Sequence, residues 1–148
     1  MNSELIVYLL SWAVFYTGYP MPDELPIITF VPHSFFVERV CNYIDPPKKP
    51  CTVRAMYDDN TDGVIFMDKI FVNNIDGFVK SIIIHEMVHY LQDMSGDWKD
   101  MPYWQREIRC QERLYRQQEA YMVQDKYAYD VHGRRRLLPR TYTPCGEY

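Results

Sequence analysis

Residues 77–93 constrain this chain more than any other stretch. They read as a helix that is apolar on nearly every side, with Phe78, Ile82, Ile83, Ile84, Met87, Val88 and Leu91 distributed around it. A helix of that kind is buried at the centre of its domain. Asp76 suits its N-cap and Gly96 its stop. Yet His85, Glu86 and His89 stand in its middle. Ionisable groups are costly to bury unless they are paired or hold something.

The three residues form His85-Glu86-Met87-Val88-His89, an HExxH pattern. Residues four apart on a helix lie one turn apart on the same face. Two imidazoles so placed can occupy two corners of a tetrahedral zinc site, each through one ring nitrogen. Glu86 lies about 100° round from His85. It stands beside the metal, where it can take a proton from water that zinc polarises for attack on a carbonyl. By residue frequency alone, the pattern arises by chance in on the order of one chain in a few hundred of this length. Its place inside a strongly helical, apolar segment makes it far more specific. The plain alternative is a pair of core histidines bonded to backbone.

A catalytic zinc takes three protein ligands and keeps one open position. The extended pattern HExxHxxGxxH fails, because Gln92 and Ser95 stand where its glycine and last histidine would be. His33 and His132 are distant candidates. The other source is a carboxylate on a second helix, expected over residues 103–131. There Ile108, Glu112, Tyr115, Glu119, Met122, Val123 and Lys126 fall close to one line and are expected to face inward. Glu112 and Glu119 are two turns apart, roughly 10 Å along the axis, so only one can reach a metal. Spacing does not choose between them.

The rest of the chain is ordinary in composition. It has 148 residues, 47% hydrophobic and 24% charged, which suits one globular domain, 1–148, with no disordered or coiled-coil character. A net charge of −4 provides no electrostatic reason to expect nucleic acid or an anionic membrane as partner. The apolar N-terminal run, residues 5–16, is too short to span a bilayer, which needs about 20 residues. With Glu4 and no Lys or Arg ahead of it, it lacks the basic start of a secretory signal. It reads as a buried helix begun by Ser3 and Glu4 and ended by Gly18 and Pro20, and the expectation leans to a soluble, cytoplasmic monomer. Strands are expected at 27–31, 52–57, 63–67 and 70–72, and a short helix at 34–42. Helix, strands, helix, helix makes an α+β fold.

Four cysteines include no CxxC pair. Cys41 and Cys51 flank a proline-rich loop that could bring them together; Cys110 and Cys145 would then pair by elimination and tie the tail to the second helix. Four reduced thiols are the alternative.

His85-Glu86-Met87-Val88-His89-Tyr90-Leu91-Gln92, then Cys110, then Glu119-Ala120-Tyr121-Met122-Val123-Gln124, resembles a family of small HExxH proteins of bacterial and phage genomes. These look like minimal gluzincin-type zinc metallopeptidases. The likeness extends to Thr17-Gly18-Tyr19, Leu25-Pro26 and Gly63-Val64-Ile65-Phe66-Met67, and so spans most of the chain. It implies a zincin-like minimal domain, with a small β-sheet packed on the HExxH helix and a long second helix carrying the third ligand. It implies one Zn2+ per chain held by His85, His89 and Glu119, with Glu86 as general base. The familiar Asn-Glu-x-x-x-Asp block is absent, since Gln118 precedes Glu119 and Val123 follows it by four.

A peptidase of this kind also needs an edge strand to hold an extended substrate, for which 63–67 is the candidate, and an oxyanion donor, for which Tyr127 and His132 are candidates. Gln92 is a candidate hydrogen-bond partner of the metal-binding histidines. The expected function is hydrolysis of peptide or protein substrates. The alternatives are a binding module with a structural zinc, supported by a closed four-ligand site, and a cell-wall amidase, for which no wall-binding region is evident.

Overall fold

A computed structural model describes residues 1–43, 46–58, 63–95 and 106–134. The fold is α+β. Its elements run α1 (Ser3–Thr17), β1 (Ile27–Val31), α2 (His33–Arg39), β2 (Ala55–Asp58), β3 (Val64–Asp68), α3 (Gly77–Ser95) and α4 (Arg106–His132), with 3-10 turns at Cys41–Tyr43 and Lys69–Phe71.

The apolar spacing of the first helix works as the sequence implies. Ile6, Leu9, Leu10 and Ala13 recur at helical intervals and are buried on one face of α1. The N-cap is Asn2 rather than Ser3: its side chain accepts from the Leu5 N–H at 2.9 Å. Gly18 ends the helix with φ +76°, a left-handed residue that hands its N–H to the Val14 carbonyl. Trp12 stacks on Tyr16 and meets the Tyr127 ring edge-on, which joins α1 to α4.

The sheet has the order β1-β3-β2, with β1 parallel and β2 antiparallel to β3. Ile65 and Met67 alternate inward from β3 into the main core. The position of β3 corrects the expectation that 63–67 would receive substrate. Both of its edges are already bonded to neighbouring strands; the strand with an open edge toward the cleft is β2. The expected strand at 70–72 is also not formed. Asp68 accepts from the Ile70 N–H at 3.0 Å and turns the chain into the Lys69–Phe71 turn, leaving Ile70 exposed.

Helix α3 is the centre of the domain and touches α1, α4, β2 and β3. Asp76 caps it, accepting from the Val79 N–H at 2.9 Å. Its expected stop, Gly96, lies outside the described residues. Helix α4 faces inward along Glu112, Ala120, Val123 and Tyr127. That line is turned by roughly 70° from the expected stripe. Tyr115 and Met122 of that stripe are 55% and 45% exposed, Lys126 is exposed, and the Ile108 side chain lies outside those described. The small Ala120 and the ring of Tyr127, rather than the longest apolar chains, decide which side of α4 packs.

Cys41 and Cys51 form a disulfide, and Cys110 is also disulfide-bonded; its expected partner Cys145, with the rest of the 135–148 tail, lies outside the described residues. His33 helps to anchor the Cys41–Cys51 loop. Its Nε2 lies 3.1 Å from the Cys51 carbonyl oxygen and its Nδ1 2.9 Å from Asp68 Oδ2. The Arg54 guanidinium lies 2.7 Å from the same oxygen. Burial opposes ionisation of Asp68, but the Ile70 N–H, Arg54 and His33 outweigh it and hold the carboxyl below its ordinary value of 3.8.

A carboxyl whose pKa is depressed by folding contributes stability above its unfolded pKa and loses it as pH falls through the folded value. Asp68→Asn should therefore cost about 1–3 kcal/mol at pH 7, and the gap to the parent chain should narrow below pH 4 in thermal melts. Gly63 has φ +85°, and a Cβ there would lie 2.8 Å from the Tyr90 ring. Gly63→Ala should cost about 2–5 kcal/mol from backbone strain and overpacking together, read by chemical denaturation.

Candidate metal centre

The HExxH helix turns its histidines toward helix α4. His85 is 6% exposed and His89 half-buried, with ring centroids 5.0 Å apart and ring planes at 76°. The two Nε2 atoms converge on a single point, since His85 Nε2 lies 3.0 Å and His89 Nε2 3.1 Å from the same atom, Gln117 Oε1. The Tyr121 ring, one turn further along α4, lies 4.4 Å from the His85 ring.

Glu86 is 8% exposed. Its Oε2 accepts from the Tyr57 N–H at 2.8 Å. Burial pushes its carboxyl above the ordinary range; His89 and the Tyr57 N–H pull it back without cancelling the rise. Tyr57 also donates its hydroxyl to Asp93 at 2.6 Å. Strand β2 is thus fastened to α3 at two points, two helical turns apart. Ala55 and Tyr57 alternate with residues 54, 56 and 58 along β2, so their backbone groups face away from β3. Beside them opens a cleft of about 900 Å3 that has Glu86, both histidines, Gln117 and Tyr121 in its wall. Lys48 and Arg113 line it too, as do Arg54 and Arg116, which are paired with Asp68 and Glu112.

The imidazole of His89 is oriented from behind. Gln92 is fully buried, and its Oε1 lies 2.9 Å from His89 Nδ1. Its Nε2 donates to the Arg116 carbonyl and to Glu119 Oε1, each at 3.0 Å. Both of those partners only accept, so the amide oxygen must face His89. His89 therefore carries a proton on Nδ1 and presents Nε2 to the cleft, the orientation that a metal ligand needs. The sequence pointed to Gln92 by its place on the face of His85; its bond is instead to His89, one turn away.

Glu119 stands at the far end of this chain. Its Oε1 accepts from the Tyr19 hydroxyl at 2.7 Å as well as from Gln92. Glu112 is buried in a pair with Arg116 at 2.9 Å. Neither carboxylate is brought to the histidine pair. Among the described residues, no three His, Cys, Asp or Glu side chains are gathered as a metal-holding group. The rotation of α4 explains it: Gln117 and Glu119 lie about 160° apart around a helix, so a turn that brings one to the cleft takes the other to its opposite flank. Gln117 escaped the sequence reading because a neutral amide is an uncommon donor. Its spacing to Tyr121 and Gln124 on one flank was the available signal.

The remaining candidates lie elsewhere. His132 lies 2.9 Å from the Tyr127 hydroxyl and packs on the backbone of Gly77, at the opposite end of α3. Tyr127 is buried against Trp12, and burial raises its hydroxyl to about 12. Neither faces the cleft.

Two imidazole nitrogens that converge on one point, with the tautomer of one set for ligation, fit a divalent metal such as zinc. No helix among the described residues is long and apolar enough to cross a membrane. Comparison with protein-family models, curated proteins and solved structures gives no match for this chain.

Gln92→Met keeps the volume and removes the amide. It should weaken zinc affinity by about 10–100-fold while His85 and His89 remain in place, as measured by competition with a chromophoric chelator.

Proposed function

We propose that the chain is a zinc-dependent peptidase with a zincin-type arrangement of helix, strand and cleft. The observation that carries this reading is the convergence of His85 Nε2 and His89 Nε2 at 3.0 and 3.1 Å from one oxygen, beside a buried Glu86 and an open cleft. An open cleft favours a catalytic site over a closed structural one. Zinc, when bound to the two histidines, supplies Lewis acidity toward a water and a substrate carbonyl.

The chain's own residues do the rest. Glu86 takes the proton from the attacking water. The Tyr57 N–H holds Oε2, which leaves Oε1 as the basic atom. Burial and the resulting upward shift suit a carboxylate to that exchange. The outward backbone of Ala55 receives the substrate's main chain in extended form. Tyr121, in the cleft wall beside His85, is the candidate donor to the developing oxyanion. Lys48 and Arg113 favour substrates with acidic side chains near the scissile bond. The disulfide bonds at Cys41–Cys51 and Cys110 favour an oxidising compartment over the cytoplasm.

The test pairs the parent chain with Glu86→Gln, both loaded with zinc, on a mixed peptide library read by mass spectrometry. The variant should retain its metal and lose hydrolysis by about 10²–10⁴-fold. Equal cleavage by both proteins, or no cleavage by either across acidic, neutral and basic peptides, would overturn the reading.

A further inference from the structure

Glu119 is held through Oε1 by Tyr19 and Gln92, and among the described residues no third His, Cys, Asp or Glu side chain is gathered with the histidine pair, so a donor of another type is the candidate. We propose that Gln117, through its side-chain oxygen, is the third metal ligand of this site, and that Glu119 is a positioning residue that acts on His89 through Gln92. The proposal rests on the zinc reading of the histidine pair.

The geometry is direct. Both Nε2 atoms approach Gln117 Oε1, at 3.0 and 3.1 Å. A tetrahedral ion with bonds of about 2.0–2.1 Å separates its donor atoms by roughly 3.3 Å. Both measured separations are therefore within a few tenths of an ångström of the spacing that a metal imposes. The hydrogen-bond inventory points the same way. With Nδ1 directed to the Gln92 amide oxygen, Nε2 is the His89 nitrogen left to meet a metal beside Gln117 Oε1.

The chemistry of this donor set differs from that of two histidines and a glutamate. Two imidazoles and an amide are all neutral, so the ion keeps its full double charge where a carboxylate would have halved it. Metal affinity falls, and the open position draws anions more strongly. Gln117 lies on the exposed side of α4 and reaches in over the cleft, so its replacement leaves the core intact.

The experiment measures Zn2+ affinity by chelator competition, and the visible absorption of the Co2+ form, for the full chain and for Gln117→Ala, Gln117→Glu and Glu119→Gln. Glu119→Gln keeps an acceptor oxygen for Tyr19 and Gln92 and removes only the charge. Gln117→Ala should weaken binding by more than the roughly 10–100-fold typical of outer-shell partners. Gln117→Glu should bind more tightly than the parent and change the Co2+ spectrum. Glu119→Gln should stay within about 10-fold of the parent, with an unchanged spectrum. Tight metal binding that ignores both Gln117 variants but collapses in Glu119→Gln would overturn this assignment and leave the peptidase reading standing. A parent chain that binds neither Zn2+ nor Co2+ would overturn both.

Discussion

The buried amide of Gln92 is the contact on which the site depends. It sits at the interface of α3 and α4 with no solvent to satisfy it, so each of its polar atoms needs a protein partner. Its nitrogen binds the Arg116 carbonyl and Glu119, which fixes where α4 lies along α3. Its oxygen binds His89 and fixes which nitrogen of that ring looks outward. One side chain thus sets helix register and imidazole tautomer together. Tyr19, through Glu119, extends the same chain to the segment after α1. A change at any link is felt at His89.

The second constraint is the burial of Glu86. A carboxylate in the middle of a core helix is destabilising unless a donor meets it, and the donor here is the main chain of an edge strand. That bond does two things. It makes the carboxylate tolerable, and it holds β2 alongside the cleft, where a strand with an outward edge is of use. The Tyr57 hydroxyl on Asp93 repeats the fastening two turns away. The position of β2 therefore follows from the need to solvate Glu86, and the sheet order places β3 where neither edge is open.

Much of this was readable from the residues. The helix at 77–93, its Asp76 cap and its burial follow from apolar residues on all sides and from local capping chemistry. The HExxH spacing put both imidazoles on one face because the helical period does so in any helix. The Cys41–Cys51 pairing was open from its short proline-rich loop. The strand expected at 70–72 failed because a buried Asp68 captured the Ile70 N–H, a long-range arrangement with Arg54 and His33 that local pattern does not contain. The choice of 63–67 as the receiving edge failed because strand order is a property of the assembled sheet.

The ionisable triplet on a buried helix follows from the residues alone, since periodicity and hydrophobicity are local and survive any packing. How α4 meets that triplet depends on the packing of the helices. The helical period allows Gln117 or Glu119 to face the histidines but never both, and a rotation of a fraction of a turn chooses between them. That rotation is set by Ala120, Val123 and Tyr127 fitting against α3 and α1, and by Gln92 gripping the α4 backbone. Shape complementarity between helices is not encoded in the spacing of either one alone, so the α4 residue that meets the histidines became visible only when the two were packed together.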